Sequence, residues 1–276
     1  MSSFDLQNGV AVVTGAASGI GRATALALAA KGCHLALVDR DADGLAETAE
    51  QAGLSGVRVT THTMDVADAD AVAAFPEQVL AEHDRVTVLV NNAGVSLVGR
   101  FEELTLEEFR WLFEVNFFAV VGFTKAFLPH LQQARAAHIA NVSSLFGLVA
   151  PAEQTAYSAS KFAVRGFSES LRHELDGTSV GVTVVHPGGV RTGIARNARL
   201  AAGADAEEAA RKGEVFDKMF LKTPPEEVGA AIVRAIERRQ PRLVVAEGAR
   251  QGDLLQRLLP AGYWRLMRRN FARLAS

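Results

Sequence analysis

The sequence predicts an α/β fold: one domain built on a doubly wound, seven-stranded, mostly parallel sheet flanked by helices. Three observations carry this expectation. Short β-branched runs alternate with longer stretches of helical character along most of the 276 residues. Several of those runs are apolar without alternation, as strands covered on both faces must be. A glycine-rich turn joins the first strand to the first helix, the usual start of a parallel α/β unit.

The strands are expected at Val10 to Thr14, His34 to Val38, Val57 to Thr63, Val86 to Val90, Ala137 to Ser143, Val180 to His186 and Arg242 to Ala246. Helical patterns lie between them near 19 to 31, 41 to 53, 68 to 83, 105 to 133, 154 to 176 and 225 to 238. Two segments break the rhythm. Residues 193 to 223 form a polar, alanine-rich insert, and residues 250 to 276 follow the last strand as a basic tail. The domain is therefore expected to span 1 to 249, with the insert acting as a lid or substrate wall.

Composition narrows the function. The chain is 49% hydrophobic and 22% charged, with a net charge of -2. No excess of positive charge points to nucleic acid. The single cysteine, Cys33, excludes an internal disulfide and cannot build a thiolate metal site alone. The seven histidines show no metal-ligand spacing, so no metal is expected. His130, His138, His173 and His186 read as packing or surface residues, and only His186 falls near the expected site. The N-terminus "MSSFDLQNG" lacks the basic and apolar regions of a signal peptide, and no run of about 18 apolar residues suggests a membrane span. The cytoplasm is the default compartment.

The turn "TGAASGIG" at 14 to 21 carries Gly15, Gly19 and Gly21, with Ser18 and Ile20 between them. Glycine permits the tight turn and lets backbone approach a ligand closely. The helix that follows presents unpaired N–H groups and a positive dipole end, which suits a pyrophosphate. Asp39 closes the second strand, 39 − 15 = 24 residues beyond the first glycine. A carboxylate at that place accepts hydrogen bonds from an adenosine ribose and repels a 2′-phosphate, which favours NAD over NADP. Its bland alternative is a helix N-cap. Arg40 complicates the choice, because a guanidinium there could bind the 2′-phosphate.

Tyr157 and Lys161 stand 161 − 157 = 4 residues apart in "YSASK". On a helix that spacing puts both on one face. A phenol with an ordinary pKa of about 10 is a poor base at neutral pH, and a nearby ammonium is expected to lower it. Tyr157 would then take a proton from an alcohol or donate one to a carbonyl. Ser144 precedes it by 157 − 144 = 13 residues, with Ser143 as its rival.

With these elements the sequence resembles the classical short-chain dehydrogenase/reductase family, which has a Rossmann-type fold. The resemblance rests on "TGAASGIG" at 14 to 21, "DV" at 65 to 66, "NNAG" at 91 to 94, Asn116 in "VNFF", "NVSS" at 141 to 144, "YSASK" at 157 to 161 and "HPGGVRT" at 186 to 192. All occur in order. The resemblance implies that Asp65 and Val66 bind the adenine, and that Asn92, Ala93 and Gly94 line the cofactor. It implies that Asn116 shapes its helix and holds a water in a proton relay. It places Pro187, Gly188, Val190 and Thr192 near the nicotinamide. Lys161 would also bind the nicotinamide ribose, and the family spacing favours Ser144 over Ser143 for steadying the substrate oxygen.

The expected activity is hydride transfer between NAD(P) and a hydroxyl or carbonyl group. Leu145, Phe146 and Val149 after the serine predict a mostly apolar pocket. The insert adds Ile194, Leu200, Val215, Phe216, Met219, Phe220 and Leu221, so a hydrophobic alcohol or ketone fits best. The alternatives are an NADPH-dependent carbonyl reductase and a cofactor-binding regulator without turnover. The family implies a homodimer or homotetramer joined through the helices at 105 to 133 and 154 to 176. The tail carries six arginines against one aspartate, interleaved with leucines and aromatics. It reads either as a helix docked on the domain or a second subunit, or as a peripheral membrane contact.

Overall fold

The structure, a computed structural model, describes residues 4–209, 211, 213 and 220–268. Its main sheet is built from β1 (Val10–Thr14), β2 (His34–Asp39), β3 (Val59–Thr63), β4 (Val88–Asn91), β6 (Ala137–Val142), β7 (Val180–Pro187) and β9 (Arg242–Val245). Their spatial order is β3-β2-β1-β4-β6-β7-β9, and every pairing is parallel. The chain runs outward from β1 to β3, then returns to add β4 on the other side of β1. That reversal opens a crevice at the carboxyl ends of β1 and β4, where open parallel sheets bind ligands.

Helices cover both faces. On one lie α1 (Gly19–Ala29), α2 (Ala42–Gly53) and α8 (Pro225–Glu237), which bury Leu28, Leu45, Ile232 and Ile236 against the sheet. Helices α1 and α8 meet backbone to backbone: a methyl group on Gly229 would stand 2.5 Å from the carbonyl carbon of Ala23. On the other face lie α3 (Ala69–His83), α4 (Leu106–Phe113), α5 (Ala119–Gln133) and α6 (Thr155–Glu174). Phe75 of α3 packs edge-on against Phe123 and Phe127 of α5, with centroids 6.0 and 5.8 Å apart. All three rings are fully buried, and each contributes about 1.5–3 kcal/mol by leaving water.

Helices α4 and α5 are joined without a break by a π turn at Glu114–Phe118. The combined helix, Leu106–Gln133, is long and apolar enough to cross a membrane by length and composition. Phe123, Phe127 and Leu131 on one side of it belong to the core instead. The sequence pattern suggested one uniform helix here; a π turn inserts a residue without disturbing the apolar stripe enough to be read.

A second, two-stranded sheet pairs β5 (Leu97–Val98) with β8 (Arg199–Leu200) in parallel. It was not expected, because two-residue strands carry no alternation. Between β7 and β8 lies one short helical turn, α7 (Gly193–Arg196), and after β9 comes α9 (Ala249–Leu258). Of the insert's expected apolar residues, Val215, Phe216 and Met219 lie outside the described residues, as does the tail beyond 268.

Candidate active site

Gly15 and Gly19 adopt φ of 67° and 55°, the left-handed region that favours glycine. Gly21 is required for a different reason. A methyl group there would lie 1.9 Å from the Gly15 carbonyl oxygen, so only glycine lets α1 start so close to β1. Ser18 stands in extended backbone at the N-cap of α1 with an exposed side chain, and Ile20 is half-buried against the core.

The turn is tied to β4 through Thr14 and Asn92. The Thr14 hydroxyl accepts from the backbone N–H groups of Asn92 and Ala93, both at 3.0 Å. The Asn92 amide donates back to the carbonyls of Thr14 and Gly15, at 2.9 and 3.2 Å. Thr14 was missed in the sequence, although its place at the end of β1 was visible there.

Asp39 ends β2 and reaches across to the turn, where its carboxylate accepts from Ala17 N at 3.0 Å. It is not the cap of α2. Asp41 is, accepting from Gly44 N at 3.1 Å. Arg40 is exposed beside it. Asp65 is exposed and accepts from Ala67 N at 2.9 Å, while Val66 is buried. On the far side of the crevice, Pro187 ends β7 and Val190 is buried. The Gly188 N–H donates to Val245 O at 2.8 Å, and a methyl on Gly188 would strike the Glu247 carbonyl oxygen at 2.2 Å. Thr192 closes toward the glycine turn, its Cγ2 lying 3.2 Å from where a methyl on Gly19 would stand. The end of β7 thus comes up against the glycine turn after β1.

Helix α6 meets the end of β6 and the loop after β4. Small residues allow this: Ala156, Ser158 and Ser160 are buried. Ser143 fastens the helix by donating to Lys161 O at 2.8 Å, which commits that hydroxyl to structure. Ser144 instead accepts from Phe146 N at 3.1 Å, and its hydroxyl stands near enough to the Tyr157 phenol to favour the ionised form. Tyr157 and Lys161 are both buried, with the ammonium 5.8 Å from the ring centroid. Lys161 Nζ donates to Val142 O at 3.2 Å. A methyl on Gly94 would lie 3.3 Å from that Nζ and 3.2 Å from Asn116 Oδ1, so these three residues meet. Asn116, in the π turn, grips Val95 at both ends of its amide: Oδ1 accepts from Val95 N at 2.8 Å and Nδ2 donates to Val95 O at 3.0 Å.

Burial pushes the Tyr157 phenol above its ordinary value, against a lowering contribution from the Ser144 hydroxyl. The direction is opposite to the lowering expected from Lys161. Burial also pushes the Lys161 ammonium down to about 8. For both groups desolvation is the leading cause.

Apolar side chains crowd Tyr157. Phe146 packs edge-on at 6.1 Å, and Leu97, Leu112 and Ile194 share the cluster. Val149, in the same loop as Leu145 and Phe146, is fully buried. The β5–β8 pairing holds the start of the insert over this site. His186, one strand away, is also buried, and its Nδ1 pairs with Ser144 O at 3.0 Å. Its placement near the site matches the expectation from its position before "PGG".

A parallel sheet reversed at β1/β4, a glycine turn answered by a carboxylate, and a Ser-Tyr-Lys group at the crevice define a dinucleotide-dependent oxidoreductase. The family described as short chain dehydrogenase matches residues 9–202, and the chain belongs to the short-chain dehydrogenase/reductase family. It is 44% identical over 269 residues to SadH of Mycobacterium tuberculosis, named as an oxidoreductase, covering 97% of this chain and 96% of that one. A short-chain dehydrogenase/reductase from Burkholderia phymatum, solved in complex with NAD, superposes with a TM-score of 0.85 at 31% identity, covering 93% of this chain and 95% of that one. An alcohol dehydrogenase from Thermococcus sibiricus, complexed with 5-hydroxy-NADP, gives a TM-score of 0.71 at 31% identity over 85% and 93% of the two chains. The chain is an NAD(P)-dependent dehydrogenase/reductase.

Proposed function

We propose that the protein interconverts a hydrophobic alcohol and its ketone with NAD as the favoured cofactor. The observation that carries this is the buried Tyr157 phenol within an apolar cluster, with the Ser144 hydroxyl and the Lys161 ammonium beside it. The turn suits a dinucleotide, since Gly15 and Gly19 in the left-handed region shape it at the start of α1, and Gly94 keeps space beside Lys161 Nζ and Asn116. Gly15, Ser18, Gly19, Ile20 and Gly21 would hold the pyrophosphate, Asp39 and Arg40 the adenosine ribose, and Asp65 and Val66 the adenine. Asn92, Ala93, Gly94, Pro187, Gly188, Val190 and Thr192 would line the remainder. A nicotinamide dinucleotide bound there accepts or gives the hydride.

Oxidation of an alcohol removes a hydride from carbon and a proton from oxygen. Tyr157 handles that proton. A phenol raised by burial is protonated at neutral pH, and so is poised to donate to a carbonyl oxygen. In the opposite direction its phenolate accepts the alcohol proton, and the neighbouring Lys161 ammonium stabilises that phenolate. Ser144 steadies the substrate oxygen. Lys161 has donors beyond the one given to Val142 O, and these suit a ribose hydroxyl. Asn116 is assigned the far end of the proton path, beside Lys161. The half-buried Phe146 and Ile194 favour an apolar substrate, because they offer a polyol no partners.

The test follows nicotinamide absorbance over a panel of alcohols and ketones, with NAD and NADP in parallel, for wild type and Asp39→Ala. Turnover of apolar secondary alcohols or ketones is expected, with NAD preferred by the wild type and that preference reduced in the variant. A wild type inert toward the whole panel would remove the proposed activity, and an unchanged preference in Asp39→Ala would remove the role given to Asp39.

A cytoplasmic location is proposed with this activity, since one cysteine calls for no oxidising compartment. A peripheral contact of the tail with anionic bilayers is supported by Leu254 and Leu258, exposed at 58% and 69% among arginines.

A further inference from the structure

We propose that the C-terminal arm, residues 249–268, determines substrate specificity by holding the loop that follows Ser144. This deepens the proposed activity and rests on it. The loop runs from Ser144 to Ala150. It begins as a short turn, Leu145–Gly147, capped by Ser144, and its Phe146 ring packs on Tyr157. Any shift of this loop therefore moves one wall of the apolar cluster around the phenol.

The arm grips the loop at two places. At its far end, Ala150 N donates to the Tyr263 hydroxyl at 2.9 Å, a contact spanning 113 residues of sequence. Near its start, Gly252 of α9 presses on Leu145: a methyl on that glycine would stand 2.8 Å from Leu145 Cδ1. The arm is itself anchored. Asp253 receives both guanidinium nitrogens of Arg242 on β9, at 2.6 and 3.1 Å, and Arg257 adds a third contact at 3.2 Å. The Arg242–Asp253 pair is mostly buried, and its bidentate geometry fixes orientation as well as distance.

The near end of the loop is held from within the sheet. His186 on β7 donates from Nδ1 to Ser144 O, since a carbonyl only accepts. The loop is thus pinned by the sheet at Ser144 and by the arm at Leu145 and Ala150. Tyr263, Gly252 and Asp253 are positioning residues: none is placed in contact with the reacting atoms, and each acts through the loop. An arm of this kind lets substrate preference change by substitutions outside the site that carries out proton transfer.

The test uses the full chain with two substitutions. Tyr263→Phe removes the acceptor of the Ala150 N–H and keeps the ring. It is expected to raise KM for apolar alcohols about fivefold, the worth of one neutral hydrogen bond, with kcat and dinucleotide Kd nearly unchanged. Gly252→Ala displaces the flexible end of Leu145 and is expected to shift preference along a series of alcohols of increasing chain length. Hydrogen–deuterium exchange of residues 144–150 reads the loop without turnover and is expected to quicken in Tyr263→Phe. Unchanged exchange in Tyr263→Phe overturns the proposal, and so does quicker exchange with KM and chain-length preference both unaltered. A wild type without turnover sinks the proposed activity instead, and the exchange measurement then decides whether the arm holds the loop.

Discussion

At the scale of single residues, burial sets the chemistry more than charge does. Tyr157 and Lys161 shift in opposite directions for one reason, the removal of water from each. The same effect leaves a mark on acid stability. His138 and His186 are fully buried, and burial pushes them down to about 3 and about 4. His138 keeps one nitrogen against the Thr183 hydroxyl at 2.7 Å, and that hydroxyl in turn donates to Gln240 O. The unfolded chain titrates its histidines near pH 6.5. Below that pH the unfolded state binds protons that the folded state refuses. Stability contributed by each neutral histidine is therefore complete above about 6.5 and is lost as pH falls toward its folded value, by up to about 1.4 kcal/mol per pH unit each. Urea midpoints measured from neutral pH down to about pH 4 should fall steeply for the wild type and less steeply for His138→Gln. Identical slopes for the two proteins would contradict this account.

At the scale of elements, the glycine turn and α6 were legible because their requirements are local. Gly15, Gly19 and Gly21 are needed by backbone geometry within eight residues, 14 to 21. Tyr157 and Lys161 share a face by helical spacing alone. All seven main strands and six main helices lie where the sequence pattern put them, shifted by two residues or fewer at almost every end, since β-branched runs and helical periodicity mark them directly. What stayed hidden depends on contacts between distant residues. The π turn around Asn116 leaves no break in "EVNFF"; its grip on Val95 appears only in three dimensions. The two-residue strands β5 and β8, and the Tyr263–Ala150 bond, are set by pairing across 102 and 113 residues, with no local signature. The turn offers its own test. Gly21→Ala forces a methyl onto the Gly15 carbonyl and should cost about 1–3 kcal/mol of stability. It should also shrink the rise in melting temperature that NAD produces. A variant that melts like the wild type, with and without NAD, would refute this reading of the turn.

At the scale of the whole molecule, two of the exposed apolar surfaces among the described residues bear on partners. Phe118 in the π turn and Phe162 on α6 are 51% and 38% exposed, on the helices expected to join subunits. Apolar rings at such positions support assembly into a dimer or tetramer. Light scattering should give a multiple of the 29.4 kDa chain mass, reduced by Phe118→Asp. A wild type that stays at the single-chain mass would end this proposal. The arm presents the other surface, with Leu254 and Leu258 outward and Gly252 and Asp253 inward. Co-sedimentation with anionic but not neutral vesicles is expected; equal recovery with both would leave the arm as a purely internal support.

The central claim is that Tyr157 carries the proton in an NAD(P)-coupled reaction. The most direct measurement compares wild type and Tyr157→Phe for turnover of the best alcohol or ketone in the panel, with dinucleotide binding followed in parallel. The account predicts that the variant still binds the dinucleotide and loses activity by about 10²-fold or more, the usual share of general acid–base catalysis. Undiminished turnover in Tyr157→Phe would contradict it.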